Sequence, residues 1–287
     1  MQNEIKKGVC FMKKKFLVFM DILGFKQIVE NNETGKLLEI IRTFFQEFDS
    51  AVDKSRTYNS SSGKPDKICL HQLNFRLMSD SILIWTKENT FSTFRNLLEA
   101  TRELVAVGLE NGFPLRGVLT YGDLIASKHI KCQFFSSDSI YGKALVEAYT
   151  LEKEMEWSGC IITPAAWEKC CEIWSKSQTN TDDPNAFFYR FPYLIWYDIP
   201  FKDGKKKGIA INWNADSFWK NGKEIDRFLL ENSFSKWNRN SVDESKRKKE
   251  ETIKFFEYTC LLRDYIRYAK AEESEKNIPT PSYNYHL

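Results

Sequence analysis

Five consecutive apolar residues, Phe16-Leu17-Val18-Phe19-Met20, are stopped by Asp21 and broken at Gly24. A run with no polar face reads as a strand covered on both sides, so a sheet must be built around it. A helix is expected over 34–54, with Leu37, Leu38, Ile41, Phe45, Phe48 and Val52 along one face. Residues 57–68 are rich in Ser, Gly and Pro and read as a surface loop. Strand-like runs at 70–78 and 81–86 flank Ser79-Asp80, which implies a tight hairpin with Asp80 at its tip.

Ser92 is a suitable cap for a helix carrying Phe94, Leu97, Leu98, Leu104 and Val105. Strand material at 115–127 is expected to break at Gly122, and a helix follows over 142–156. Cys160-Ile161-Ile162 reads as a strand, and Thr163-Pro164 opens a helix with proline in its first turn. After a polar stretch at 176–186 come strands at 193–198 and 208–212, joined around 201–207. The last helix, 243–271, presents Tyr258, Leu261, Leu262, Tyr265, Ile266 and Ala269 as its apolar stripe, and the tail from Asn277 reads as frayed.

The order strand, helix, hairpin, helix, strand, helix, strand is that of an α+β fold, a ferredoxin-like βαββαβ palm. It is expected as an antiparallel sheet with helices on one face. We divide the chain into this domain, 13–212, and a C-terminal helical extension, 213–287.

Composition narrows the class of function. Forty-two Lys and Arg against 39 Asp and Glu leave a charge of +3 over 287 residues, with 42% hydrophobic and 15% aromatic residues. That supports a sizeable core and gives no basic excess for a nucleic-acid partner. Seven cysteines (Cys10, Cys69, Cys132, Cys160, Cys170, Cys171, Cys260) show no CxxC spacing, and His71, His129 and His286 lie far apart. A disulfide framework, a zinc ribbon and a His-rich metal site are disfavoured, and a carboxylate site stays open. Lys13-Lys14-Lys15 before the apolar run imitates a leader, but Asp21 and Lys26 interrupt it and no small-residue cleavage site follows. No segment reaches the ~20 apolar residues of a membrane span. The expected location is cytoplasmic, with neither membrane nor nucleic acid as partner.

Asp21 ends the first strand and Asp80 tips the hairpin that lies beside it in a palm sheet. Neighbouring carboxylates of this kind can bridge hard cations such as Mg²⁺ or Mn²⁺, and Gly24 lets backbone approach a triphosphate. Aspartate at a strand end also serves simply as a turn residue, and the pair has chemical meaning only if the two strands are neighbours.

Four segments in order resemble class III nucleotide cyclases. Phe19-Met20-Asp21-Ile22-Leu23-Gly24-Phe25 is similar to their first metal motif, F-x-D-I-x-G-F, and Met78-Ser79-Asp80 to their second. Ile140-Tyr141-Gly142-Lys143-Ala144-Leu145-Val146-Glu147-Ala148 resembles the segment opening their catalytic helix, and Ile161-Ile162-Thr163 the strand end after it. The resemblance implies Asp21, Ile22 and Asp80 at two divalent cations (Mn²⁺ or Mg²⁺), with Gly24 and Phe25 at the substrate. It also implies a nucleoside triphosphate closed to a 3′,5′-cyclic nucleotide, and a homodimer with active sites at the interface.

The departures are informative. The family's base-selecting positions, which the resemblance assigns to the other protomer, fall on Arg76 and Ser139, matching neither the Lys/Asp of adenylyl cyclases nor the Glu/Cys of guanylyl cyclases. An Arg fork suits the acceptors of uracil or cytosine. The family's transition-state Asn and Arg fall on Val146 and Thr150, so another cation must serve or the protein is silent. Lys143, Arg116, Lys202 and Lys205 are the candidates. The pattern resembles the pyrimidine cyclases of the Pycsar antiphage system, whose cUMP or cCMP product acts on a separate effector. The alternative is a catalytically silent cyclase-homology domain that senses nucleotides or docks partners. A nucleotide-joining palm fits least, because the Gly-Gly-Asp/Glu-Glu-Phe turn is absent.

Overall fold

The computed structural model describes residues 13–54, 56–58, 65–67, 69–131, 136–177, 193–214, 225–237 and 244–276. Its centre is β1 (Lys13–Ile22), with residues 16–20 buried as their unbroken apolar character requires. After the turn at Gly24 come α1 (Phe25–Asn31) and α2 (Thr34–Lys54). The hairpin is β4 (Leu73–Met78) and β5 (Ser81–Thr86), followed by α3 (Phe91–Asn111) and β6 (Leu115–Lys131). The remainder is β7 (Ser136–Tyr141), α4 (Lys143–Glu154), β8 (Gly159–Ile162), α5 (Pro164–Ser177), β9 (Leu194–Phe201), β10 (Gly204–Ile211), α6 (Arg227–Ser233) and α7 (Glu244–Lys276).

The strands order β4-β5-β1-β6-β8-β10-β9, with β7 attached to β6. The first four are antiparallel neighbours in the order of a βαββαβ palm, and β8 then joins β6 in parallel. The fold is α+β.

Alternation along β1 assigns its two faces. Phe16 meets Phe94 of α3 at 4.8 Å between ring centroids, whereas Phe19 meets Tyr149 of α4 at 5.7 Å. Helices therefore cover both faces of the sheet, not one as the palm pattern suggested. A strand with no polar side demands that arrangement. On the α4 face, α7 covers the far strands: Phe255 lies 4.6 Å from Trp157 and 4.9 Å from Tyr197. The Thr252 hydroxyl also accepts from the Ser158 amide at 2.8 Å.

Several local expectations are corrected. The supposed 57–68 loop contains two short paired strands, β2 (Arg56–Tyr58) and β3 (Pro65–Lys67). Residues 70–72 form a 3-10 turn before β4. Thr90, not Ser92, caps α3, because Thr90 and Thr93 exchange hydrogen bonds in a reciprocal capping box. β6 runs unbroken through Gly122, where an added Cβ would sit 3.4 Å from the Ala144 Cβ, so that glycine lets α4 approach the strand.

On α2 the buried residues are Ile40, Phe44 and Phe48, while Leu38 is exposed. On α7 the expected stripe is met only in part: Leu262 packs against the core and Tyr258 against Tyr197 at 5.3 Å, whereas Leu261 and Tyr265 face outward and Thr252, Ile253, Phe255 and Thr259 are buried. The β9–β10 hairpin turns within Lys202-Asp203, so Lys205, Lys206 and Lys207 are strand residues. The side chains of Val52, Ile266 and Ala269, most of the 176–186 stretch and the tail from Asn277 lie outside the described residues.

Candidate functional site

The two aspartates are brought together by strand pairing. β1 and β5 are hydrogen-bonded neighbours, Asp21 stands opposite Ser81, and the Ile22 amide donates to the Asp80 carbonyl at 3.0 Å. Ser79 takes a left-handed φ of 57° beside Asp80, which tightens the β4–β5 turn. Gly24 also takes a left-handed conformation (φ 75°), so the chain turns away immediately after Asp21 and Ile22. Phe25 is half-buried against the core and opens α1.

Asp21 lies on the α4 face, two residues from Phe19, and is opposite Arg116 of β6. Its carboxyl is pushed up to about 7, first by burial and then by the charges of Glu152 and Asp80, against the opposing pull of Arg116 and Lys153. Arg116 is itself committed. Its Nε donates to the Glu152 carboxylate at 2.5 Å and its Nη1 to the Met155 carbonyl at 2.5 Å. Both partners of the pair are buried, and burial raises the Glu152 carboxyl despite Arg116.

The other sequence candidates are spread over β4, β7, α4 and the β9–β10 hairpin. Arg76 is half-buried in edge strand β4 and pairs with Leu83, which pairs with Phe19. It therefore shares the face of Asp21, two strands away and two residues along, about 12 Å by strand spacing and rise. Ser139 is in β7 opposite Ser127 of β6, and Lys143 is exposed in the first turn of α4. Lys202 pairs with Glu154 at 3.5 Å and Lys205 with Glu251 at 3.1 Å. Val146 is 65% exposed, and the Thr150 hydroxyl donates back to the Val146 carbonyl at 2.8 Å.

Three residues at the site escaped sequence reading: Tyr149, Glu152 and Lys153. Their only sequence signal is helical spacing, with Tyr149 and Lys153 one turn apart on α4. Nothing in the sequence linked Glu152 to Arg116, 36 positions earlier.

No known family's sequence profile matches the chain, and no curated protein matches it. Solved structures do. The guanylyl cyclase Cya2 aligns over 70% of this chain and 91% of its own, at 11% identity and a TM-score of 0.43. The adenylyl cyclase CyaB from P. aeruginosa aligns over 75% and 100%, at 10% identity and 0.43. The guanylate cyclase domain of RhGC from Catenaria anguillulae, in complex with GTP, aligns over 69% and 96%, at 11% identity and 0.42. Likeness this remote leaves the chemistry of the site to its own residues.

Proposed function

We propose that this chain is a metal-dependent nucleotide cyclase acting on a pyrimidine nucleoside triphosphate, UTP before CTP. The observation that carries the reading is the juxtaposition of Asp21 and Asp80 on adjacent strand ends of a palm sheet. The 3′-hydroxyl attacks the substrate's own α-phosphorus, the bond to pyrophosphate breaks, and the hydroxyl proton leaves. Cyclic UMP or CMP and pyrophosphate result.

The donor set fits a hard divalent cation. Burial, then the charges of Glu152 and Asp80, raise the Asp21 carboxyl, and a cation relieves that excess of negative charge. Among the described residues no group of three or more His, Cys, Asp or Glu is arranged to hold a metal. As the motif resemblance implies, Asp21, Asp80 and the main-chain oxygen of Ile22 would be the protein's ligands, with phosphate oxygens and water completing the shell. Bound there, two such ions (Mn²⁺ or Mg²⁺) supply charge stabilisation at the reacting phosphate.

Gly24 and Phe25 line the turn beside the triphosphate. Across the dimer interface, Arg76 and Ser139 of one protomer select the base held at its partner's aspartates, and the fork of Arg76 suits the acceptor edge of uracil or cytosine. Lys143 is exposed, but Ala144 lies against Gly122, which pairs with Lys15, so α4 starts about 20 Å along β1 from Asp21 and Lys143 does not reach that carboxylate within one chain. Arg116 reaches a phosphate only by giving up Glu152. The rest of the reading is a homodimer with sites at its interface, working in the cytoplasm as an antiphage second-messenger synthase whose product acts on a separate effector. Its support is the motif resemblance. No helix among the described residues is long and apolar enough to cross a membrane.

The test is incubation with each of the four triphosphates and Mn²⁺, with the product identified by mass. Cyclic UMP or cyclic CMP is expected. No cyclic product, or product from ATP alone, overturns the reading.

One observation favours a second reading, a silent nucleotide-binding domain. Val146 and Thr150 occupy the helix positions where a transition-state amide and cation are needed, and neither can act as one. Triphosphate binding without turnover, on protein whose aspartates are intact, would establish it.

A further inference from the structure

α4 carries a cation near the aspartates that none of the preceding assignments uses. Val146, Thr150 and Lys153 follow one another at helical spacings of four and three, so Lys153 extends the stripe of the two positions that lack polar reach. Its ammonium donates to the Tyr149 hydroxyl and sits 4.0 Å from the centroid of the same ring. That ring meets the edge of Phe19, which is two residues before Asp21 and on the same strand face. Lys153 thus contacts an aromatic ring that itself packs on the site's own strand. Its charge and that of Asp21 act on each other.

The other α4-face cation, Arg116, is buried and spends donors on Glu152 and Met155. Lys153 differs in both respects. It is exposed, and among the described residues it has no carboxylate within salt-bridge distance. Its hydrogen-bond partner, the Tyr149 hydroxyl, is a neutral phenol, so an incoming polyanion displaces no ion pair.

We propose that Lys153, seated on Tyr149, is the phosphate-binding cation of this site and supplies the positive charge that Val146 and Thr150 cannot. The inference rests on the reading of the site as a triphosphate site, and it deepens that reading by naming the group that grips the phosphate chain. Tyr149 is a positioning residue, limiting the directions in which the flexible lysine stem can point.

The experiment measures binding of inorganic tripolyphosphate, with Mg²⁺ present, by calorimetry on the full chain. Lys153→Met is expected to weaken binding by about tenfold or more, the scale of one charge-assisted hydrogen bond. Lys153→Arg should recover most of the loss, and Tyr149→Phe should lose a smaller part. Because Lys153 is exposed, all three variants should melt at the wild-type temperature. Unchanged affinity in Lys153→Met overturns the proposal, as does a wild-type protein that does not bind tripolyphosphate. Failure of the parent reading looks different: tripolyphosphate binds through Lys153, yet no triphosphate is cyclised. If turnover is found, Lys153→Met should lower kcat/KM, with a substantial part of the loss in kcat.

Discussion

Asp21 is the residue whose environment makes the sharpest statement. Its carboxyl titrates near 7 in the folded chain, against 3.8 for an ordinary aspartate. Between those values the native state holds a proton that the unfolded state has released. Stability therefore falls as pH rises through this window, the reverse of an ion-paired aspartate. Asp21→Asn has no proton to lose. Melted beside the wild type at about pH 5 and about pH 8, it should gain relative stability at the higher pH, since the other titrating groups are common to both. If the carboxylate is a metal ligand, Mn²⁺ should raise the wild-type melting temperature at the higher pH and leave Asp21→Asn unmoved. The variant should also have no turnover.

Arg116 makes a different prediction at the same scale. Its side chain is 9% exposed and that of Glu152 is 2%, so Arg116→Ala strands a buried carboxylate. Loss of about 3–5 kcal/mol in urea unfolding is expected, with a far smaller loss when Glu152→Leu accompanies Arg116→Met. Arg116→Ala should also push the Asp21 titration higher, because Arg116 is one of the charges holding it down.

At the scale of elements, the junction of β6 and α4 decides where the site's helix sits. Gly142 precedes α4 with φ 153°, and a Cβ there would lie 2.1 Å from the Asp123 carbonyl oxygen. Backbone is not the flexible end of a side chain, so Gly142→Ala must displace the start of the helix. A loss of about 1–3 kcal/mol is expected, read by thermal melts, together with weakened tripolyphosphate binding because Tyr149 and Lys153 move with α4.

Elements were largely legible where one physical cause dominated. β1 was legible because five apolar residues in a row admit few alternatives, and the 34–54 helix because its period is clear. The pairing of Asp21 with Asp80 was legible only on the condition that β1 and β5 are neighbours, which the palm order meets. Tyr149, Glu152 and Lys153 were not, since acidic and basic residues near a helix end look like an ordinary solvated turn. Gly122 was misread because a glycine that breaks a strand and one that admits a close helix are identical in sequence.

At the scale of the whole molecule, α7 is the element whose inward face sequence periodicity matched only in part. A helix packed on a sheet normally buries its apolar stripe, yet of the expected stripe only Tyr258 and Leu262 touch the packed side, and Leu261 and Tyr265 are exposed. The buried face instead carries Thr252, Phe255 and Thr259. Its threonines have partners that hydropathy cannot see: Thr252 accepts from the Ser158 amide, and Thr259 accepts from the Asn214 side chain at 3.3 Å. Phe255 supplies the apolar contact, fully buried among Trp157, Tyr197 and Trp213, with Trp213 at 5.9 Å. The two faces therefore make opposite predictions. Phe255→Ala should cost about 3–5 kcal/mol, because it leaves a cavity lined by rings that cannot collapse into it. Leu261→Ser and Tyr265→Ser, at 71% and 59% exposure, should change stability by no more than about 0.5 kcal/mol. Tryptophan fluorescence through a urea titration reads both, since Trp157 and Trp213 report directly on the seam. If the serine variants are the damaging ones, α7 is turned the other way and the aromatic seam does not hold this side of the sheet.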